Sequence, residues 1–244
     1  MCGRFAVTGA AADLVALFDV DEPAEQLPAP SWNIAPTDQV PVILDSVPKG
    51  SANGEPQRRL ESARWGLVPG WAKDVSVGVK AFNARIETVG ESTMFKNAVR
   101  KRRAILPTSG YYEWKTVDGV KHPHFIHLPD ELTVFAGLYE WWRDRSKADD
   151  DPARWVLSTT ILTRDAVGDL GSIHDRMPVF LSPELIEGWL DPQAEFTADQ
   201  DLDELLEAIA EGGAETAARM ESYEVGREVG NVRNNGPELL QPVG

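Results

Sequence analysis

Short stretches of alternating apolar and polar residues recur along most of the chain, and each predicts a β-strand. The predicted strands cover residues 4–7, 40–44, 63–68, 104–106, 110–115, 125–128, 132–139, 155–162 and 220–225. Apolar residues at helical spacing predict helices over residues 11–18, 92–103, 182–190 and 198–210. Asp118-Gly119, between two of the strands, indicates a hairpin turn.

The order of these elements predicts the fold class. Strands dominate, and the helices are scattered between them without regular strand–helix alternation. This order favours an α+β fold over a doubly wound parallel sheet. We expect one domain over residues 1–244, with a mixed, barrel-like β core and peripheral helices. Variable surface excursions are expected near residues 46–59, 143–153 and 191–214.

Composition is that of an ordinary globular protein, with 42% hydrophobic and 26% charged residues. No apolar run approaches the roughly 18 residues that a membrane helix needs. The first residues, MCGRF, lack the apolar segment of a signal peptide. The one cysteine, Cys2, excludes an intramolecular disulfide. We therefore expect a cytoplasmic protein with no membrane association.

The charge is strongly acidic, with 39 Asp and Glu against 24 Lys and Arg and a net charge of -15. Taken alone, this balance argues against nucleic-acid binding, which usually leaves a basic footprint. Residues 96–103, KNAVRKRR, are the one strongly basic run. The run is either a solvated helix face or part of a groove that holds DNA.

Cys2 is a candidate nucleophile at the N-terminus. Removal of Met1 would leave a thiol and a free α-amine on adjacent carbons, with ordinary pKa values of about 8.5 and 7.7–8.0. Such a 1,2-aminothiol condenses with an aldehyde, first as a Schiff base and then as a five-membered thiazolidine ring. Either group could also act alone as a nucleophile. The alternative is a small buried hydrophobic residue at a chain end.

Two further ionisable residues are candidates. Glu113 lies between aromatic residues, which suits either an edge-strand salt bridge or a carboxyl with a raised pKa for acid–base chemistry. His174 is either a structural loop histidine or a proton shuttle near neutral pH. His122, His124 and His127 cluster, but residues 122 and 124 share a strand face while 127 points away. We expect no metal site there, because converging ligands would also be needed from elsewhere.

Together these segments resemble the SOS response-associated peptidase (SRAP) family of abasic-site processing proteins. The resemblance is collinear, spans nearly the whole chain and includes Cys at position 2. The matching stretches are residues 1–5, 32–37, 64–72, 83–88, 103–114, 135–140, 174–181 and 229–242.

The resemblance implies a specific activity and a catalytic set. Members of the family recognise abasic sites in single-stranded DNA and form a covalent cross-link through the N-terminal cysteine. Carried over to this chain, Cys2 is the nucleophile and Asn83 senses the abasic sugar. Glu113 moves protons during Schiff-base formation and ring closure, and would also act in self-removal of the residue ahead of Cys2. His174 assists sugar ring opening and stabilises the adduct.

The resemblance also implies a path for the DNA strand. Arg4, Arg85 and Arg176 would contact phosphates, since a guanidinium matches phosphate geometry. Pro36 and Trp71 would stack against or wedge apart flanking bases. The remaining residue predicted to contact DNA is Asn33. We expect a monomer that needs no cofactor and binds single-stranded DNA containing abasic sites. Lyase activity is a further expectation, because a Schiff base at the sugar permits β-elimination.

Two other functions remain open at this level. One is a cysteine-dependent peptidase that uses Cys2, Glu113 and His174. The other is a non-enzymatic single-strand binding module, which would bind DNA without Cys2 and lose that binding at high salt.

Overall fold

A computed structural model describes residues 2–48, 50, 54–129, 131–194, 196 and 198–243. Most of these residues belong to thirteen strands and four α-helices. The strands are β1 (Phe5–Val7), β2 (Glu22–Pro23), β3 (Ser31–Ile34), β4 (Gln39–Ser46), β5 (Gln57–Trp65), β6 (Asn83–Arg85), β7 (Arg103–Thr108), β8 (Gly110–Val117), β9 (Val120–His127), β10 (Thr133–Arg143), β11 (Trp155–Asp165), β12 (Arg176–Pro178) and β13 (Glu221–Glu224). The helices are α1 (Ala11–Leu17), α2 (Lys96–Lys101), α3 (Pro183–Leu190) and α4 (Asp199–Ala218).

Five strands close into a barrel in the order β4, β5, β11, β10 and β7. Neighbours pair antiparallel except β11 and β5, which pair in parallel through Ser158↔Arg64 and Thr159↔Trp65. The β7–β4 contact at Ile105↔Ile43 completes the ring. The predicted mixed, barrel-like β core is therefore confirmed, as are the α+β class and the peripheral helices.

Strand alternation separates the inside of the barrel from its outside. On each of the five strands, every second side chain points into the barrel. Towards one end of the interior these side chains are Val42, Ala63, Ala104, Tyr139 and Leu157. The alternate side chains, such as Ile43, Ile105 and Leu162, point outward and pack against the helices in one large cluster. The helices thus cover apolar barrel surface that would otherwise face water.

A second sheet closes the other end of the barrel. Its strands lie in the order β13-β9-β8-β1-β3, and all of them pair antiparallel. Phe5 and Tyr111 from this sheet join Trp65, Phe135 and other barrel residues in one buried cluster. Phe5 contacts both Trp65 and Phe135 edge to face, with ring centroids 4.9 and 5.8 Å apart. The start of the chain is therefore fixed against the end of the barrel.

Several predicted elements differ in their bounds. The predicted strand over residues 63–68 ends at Trp65, because Gly66 adopts φ +131° and turns the chain. The predicted helix over residues 92–103 shortens to α2, and Arg103 begins β7. Asp118 and Gly119 form the expected turn, with φ values of 49° and 79°. Met1, residues 49 and 51–53 of the excursion near 46–59, and residues 195 and 197 of that near 191–214, lie outside the described residues.

Candidate active site at the end of the barrel

Cys2 lies at the junction between the barrel and the five-stranded sheet. Its side chain is 0% exposed and belongs to the same buried cluster as Phe5, Trp65 and Tyr111. Burial raises the pKa of the Cys2 thiol far above its usual range, and the nearby Glu113 carboxylate raises it further. The thiol is therefore protonated at neutral pH, and reaction through sulfur requires a base to take its proton.

Asn83 holds the backbone of Cys2. It begins β6, a three-residue strand that pairs in parallel with β11 at Ile161. Its Nδ2 donates to the Cys2 carbonyl oxygen over 2.7 Å. Its Oδ1 is buried and has no hydrogen-bond partner among the described residues. A buried amide oxygen in that state can accept a hydrogen bond from a bound molecule.

The loop before Asn83 is fixed by two glycines packed backbone to backbone. A Cβ on Gly78 would lie 2.4 Å from the Gly66 carbonyl oxygen, and one on Gly66 would lie 2.5 Å from that of Gly78. Only glycine allows this approach. Trp65 Nε1 also donates to the Phe82 carbonyl oxygen over 2.8 Å. These contacts set the position of Asn83 at the mouth of the barrel.

Glu113 lies on β8 with its side chain on the same face as Tyr111. It is 3% exposed, and burial raises the pKa of its carboxyl, while His174 acts in the opposite direction. A carboxyl with a raised pKa exchanges protons closer to neutral pH, which suits general acid–base catalysis.

His174 lies between a 3-10 helix, Gly168–Ser172, and β12. Its Nδ1 accepts a hydrogen bond from the Arg176 backbone N–H over 3.0 Å, which leaves the ring proton of the neutral form on Nε2. The Asp175 carboxylate lies 2.8 Å from Nδ1 and can pair with the protonated ring. The half-exposed imidazole is thus placed to exchange protons with solvent or a ligand.

The four predicted catalytic residues come together from four separate parts of the chain. Asn83 donates a hydrogen bond to the Cys2 backbone. The Glu113 carboxylate raises the pKa of the Cys2 thiol, and His174 lowers the pKa of Glu113. The site therefore combines a buried thiol, a buried carboxyl, an imidazole and an amide whose oxygen has no partner among the described residues.

Sequence reasoning did not select Tyr111 as a member of this site. The residue is 1% exposed. Burial raises the pKa of its hydroxyl, and Cys2 and Glu113 raise it further. The alternation of β8 could have identified it, because residues 111 and 113 of one strand share a face. Tyr112 faces the opposite side, where its hydroxyl donates to the Trp32 carbonyl oxygen over 2.8 Å.

Three of the residues predicted to contact DNA lie near the surface. Trp71 is 61% exposed on the loop between the two glycines. Arg85 is exposed at the end of β6, two residues after Asn83. Pro36 is half-buried and precedes Thr37, which has φ +86°. These side chains can reach a ligand without rearrangement of the fold.

Arg4 and Asn33 instead hold the C-terminal tail. Arg4 Nη1 donates to Asn33 Oδ1 and to the Val229 carbonyl oxygen, both over 2.7 Å. Asn33 is buried, and its Nδ2 donates to the carbonyl oxygens of Val229, Asn231 and Asn234. A DNA contact by the Asn33 side chain would require these bonds to break.

Arg176 is also bonded within the protein. Its guanidinium donates to Glu87 over 2.8 and 2.9 Å, to Asp165 over 2.6 Å and to the Thr163 carbonyl oxygen over 2.7 Å. Its side chain is 7% exposed, whereas that of Asp165 is 84% exposed. A phosphate could reach Arg176 only by displacing the Asp165 carboxylate.

The basic run over residues 96–103 is divided between the core and the surface, where Lys96 and Lys101 are exposed. Arg103 is buried and donates to the Trp189 carbonyl oxygen over 2.6 Å. Arg102 pairs with Glu140 over 2.7 Å, and Arg100 pairs with Asp199. The run is therefore partly a core anchor and partly a helix face with paired arginines and exposed lysines, and a role in a DNA groove stays a prediction.

Metal ligation and membrane insertion find no support in the part of the chain that the structure describes. None of its His, Cys, Asp and Glu side chains form a group of three suited to a metal ion. His122 pairs with Glu224, and His127 Nδ1 lies 3.0 Å from the Leu128 carbonyl oxygen. No helix of the described ranges is both long enough and apolar enough to cross a membrane.

Solved structures resemble the fold closely. A crystal structure of a Bacteroides thetaiotaomicron protein matches with a TM-score of 0.76 at 21% identity, over 99% of this chain and all of that one. A phage-related protein from Bordetella bronchiseptica matches with a TM-score of 0.63 at 28% identity, over 92% of this chain and 94% of that one.

Sequence relatives extend over the full length. The abasic site processing protein YoqW of Bacillus subtilis is 37% identical, with 99% of each chain covered. The abasic site processing protein YedK of Escherichia coli is 33% identical, with 100% of each chain covered. The family model for SOS response associated peptidase (SRAP) matches residues 1–232. The chain therefore belongs to the SRAP family.

Proposed function

We propose that this protein processes abasic sites in single-stranded DNA by forming a covalent bond through Cys2 once Met1 has been removed. The observation that carries the proposal is the junction of Cys2, Asn83, Glu113 and His174 at one end of the barrel. Relatives named as abasic site processing proteins, similar over their full length, support the choice of substrate. Met1 lies outside the described residues, so its removal is part of the proposal.

The reaction begins at the amine. With Met1 removed, the α-amine of Cys2 has an ordinary pKa of about 7.7–8.0 and a useful neutral fraction at physiological pH. The thiol is protonated because burial raises its pKa, so the amine attacks first. The amine adds to the C1 aldehyde of the ring-opened abasic sugar, and loss of water gives an imine.

Ring closure follows at sulfur. The thiol adds across the imine carbon, its proton passes to the imine nitrogen, and a thiazolidine forms with no further leaving group. Glu113 relays these protons, because its raised pKa suits both accepting and donating them near neutral pH. His174 supplies the acid–base partner for opening the sugar, and the Asn83 Oδ1, which has no partner among the described residues, accepts a hydrogen bond from a sugar hydroxyl.

The DNA strand runs over the exposed residues at the mouth of the barrel. Arg85 contacts a phosphate, and Trp71 stacks on a base. Pro36 is a further candidate for stacking, and Arg4 and Arg176 would reach phosphates only where the strand displaces their present partners in the protein. Stacking of this kind tolerates any base sequence, as an abasic-site sensor requires.

Lyase and self-processing activities belong to the same proposal. An imine at C1 permits β-elimination of the 3′ phosphate, and thiazolidine formation suppresses that loss by consuming the imine. Removal of the residue ahead of Cys2 would use Glu113 as its acid–base group. The role of the adduct is to shield the lesion during the DNA damage response.

Cross-linking assays with variants test the proposal. The wild-type protein and variants are incubated with a single-stranded oligonucleotide that carries one abasic site, then heated and separated by denaturing electrophoresis. We expect Cys2→Ala to give no heat-stable adduct. Glu113→Gln should slow adduct formation by about 10²–10⁴-fold, the usual contribution of acid–base catalysis.

The matched control is Glu61→Gln, at another buried carboxyl with a raised pKa, which pairs with Arg59 on β5. That variant should cross-link at the wild-type rate. Wild-type levels of heat-stable adduct with Cys2→Ala would contradict the proposal.

A further inference from the structure

The face of the five-stranded sheet that carries Glu113 continues beyond it as a group of basic side chains. In the β8–β9 hairpin, Glu113 pairs with His124 and Lys115 pairs with His122. Directly paired residues of antiparallel strands share a face. Tyr111 and Ile126, one pair further along, confirm this parity because both belong to the buried cluster around Cys2.

The electrostatics place these groups close together. Burial lowers the pKa of His124, and Lys115 and His122 lower it further, while Glu224 opposes the change. His122 Nδ1 lies 2.8 Å from Glu224 Oε1. Arg227 acts on the same Glu224 carboxylate. His122, His124 and Arg227 therefore act on one carboxylate, and Lys115 acts on His124; these four residues are called the basic patch below.

This concentration of basic groups contrasts with the whole chain. The sequence has 39 Asp and Glu against 24 Lys and Arg, whereas the basic patch sets Lys115, Arg227 and two histidines near Glu224. An acidic protein that binds a polyanion needs a local reversal of charge where the anion lies. The basic patch supplies such a reversal next to the candidate active site.

His124 presents a donor rather than an acceptor to its surroundings. Its Nδ1 is buried and has no hydrogen-bond partner among the described residues, whereas the ring as a whole is half-exposed. A buried N–H without a partner is costly, so the neutral ring carries its proton on the outer Nε2. That N–H can donate to a phosphate oxygen.

We propose that the basic patch binds a backbone phosphate of the DNA strand on one side of the lesion. Lys115 and His122 lie two residues beyond Glu113 along the hairpin, which is about 7 Å at the usual strand rise. A strand whose abasic sugar lies at Glu113 would bring a neighbouring phosphate to this surface. The proposal rests on the proposed function and names a subsite for the same substrate.

Binding of lesion-free single-stranded DNA tests the basic patch without any covalent step. The double variant Lys115→Gln, His122→Gln is compared with Lys121→Gln by fluorescence anisotropy over a range of salt concentrations. Lys121 is exposed on the same hairpin and pairs with Thr116, so its side chain lies on the opposite face. It is therefore a matched control.

We expect the double variant to bind several-fold more weakly and to lose about 0.7 in the slope of log K against log salt for each phosphate contact removed. Lys121→Gln should bind like the wild type. Equal affinity and slope for the double variant and Lys121→Gln would overturn the proposal. If the double variant does not fold, Arg227→Gln, at an exposed residue, gives the same comparison.

The two proposals fail in different ways. Absence of an adduct between the wild-type protein and abasic DNA contradicts the proposed function and leaves the comparison of non-covalent binding intact. Normal adduct formation with no difference between the double variant and Lys121→Gln contradicts the basic patch alone.

Discussion

Glu113 carries an energetic cost for the folded protein because its carboxyl lies almost entirely out of water. Burial raises its pKa, so the folded state binds the proton more tightly than the unfolded state does. Between the two pKa values the folded state holds more protons, and stability falls as pH rises through that window. The cost is fully present above the folded-state pKa and absent below the unfolded value of about 4.3.

Replacement of Glu113 by glutamine should therefore stabilise the protein at neutral pH. We expect a higher melting temperature for Glu113→Gln at pH 7, by about 2–4 °C for each kcal/mol gained. The gain should shrink as pH falls and vanish below about pH 4, where the wild-type carboxyl is protonated in both states. Thermal unfolding followed by circular dichroism over pH 3–8 measures this. A destabilised variant at pH 7 would contradict an energetic cost of burying the Glu113 carboxylate.

For individual residues, the sequence could indicate candidates for the reaction but not the contacts that surround them in the folded chain. The sequence left Glu113 as either a salt-bridge partner or a carboxyl with a raised pKa, and burial in the folded chain raises its pKa. The sequence offered burial of Cys2 as one of two alternatives but could not decide between them, because burial depends on contacts with Trp65 and Tyr111 that lie far away in sequence. The hydrogen bonds from Asn33 to carbonyl oxygens of the C-terminal tail could not be predicted from the sequence either, since side-chain partners follow from tertiary packing.

The loop between β5 and β6 is the element on which the site most depends. It carries the exposed Trp71 and leads directly to Asn83. The close approach of Gly66 and Gly78 fixes its path, and Leu67 N–H donates to the Ala81 carbonyl oxygen over 3.1 Å. The position of this loop is therefore fixed by its packing against the barrel.

A methyl group at Gly78 should disturb this loop. It would lie 2.4 Å from the Gly66 carbonyl oxygen and 2.8 Å from Val68 Cγ2, so backbone must move. We expect Gly78→Ala to cost about 1–3 kcal/mol in the free energy of unfolding and to slow adduct formation. Chemical denaturation and the cross-linking assay measure the two effects.

The matched control is Gly70→Ala, where an added Cβ meets nothing within 4 Å. It should leave stability and cross-linking close to wild type. Equal effects of the two alanine substitutions would show that the glycine contact does not position the site.

The sequence predicted β10 and β11 well, but it missed β6, β12 and most of β5. Residues 132–139 and 155–162 have enough alternation to predict β10 and β11. The three-residue strands β6 and β12 have no measurable period, yet they position Asn83 and Arg176. Their strand geometry comes from pairing with β11, which is a tertiary contact.

Over the whole molecule, a net charge of -15 opposes the approach of DNA. The proposed function resolves this conflict because a covalent bond, once formed, does not depend on electrostatic attraction. Encounter still depends on local basic groups such as Arg85, and salt screens those contacts. Composition alone could predict the conflict but not where the local reversal of charge lies.

Salt should therefore affect rate and yield differently. At sub-saturating DNA, we expect the rate of adduct formation to fall as the salt concentration rises from 50 to 200 mM. The final yield after long incubation should stay constant, and a preformed adduct should survive transfer to high salt. Time courses by denaturing electrophoresis measure all three. Release of DNA from the preformed complex at high salt would indicate non-covalent binding.

The proposed mechanism depends most directly on the chemical state of Cys2, which intact mass spectrometry measures without an activity assay. The mass of the purified protein is measured before and after incubation with an abasic single-stranded oligonucleotide, and the N-terminal peptide is then isolated. We expect loss of the Met1 mass, followed by addition of the oligonucleotide mass less one water on the peptide that begins at Cys2. An unchanged mass, or a DNA adduct on any other residue, would contradict it.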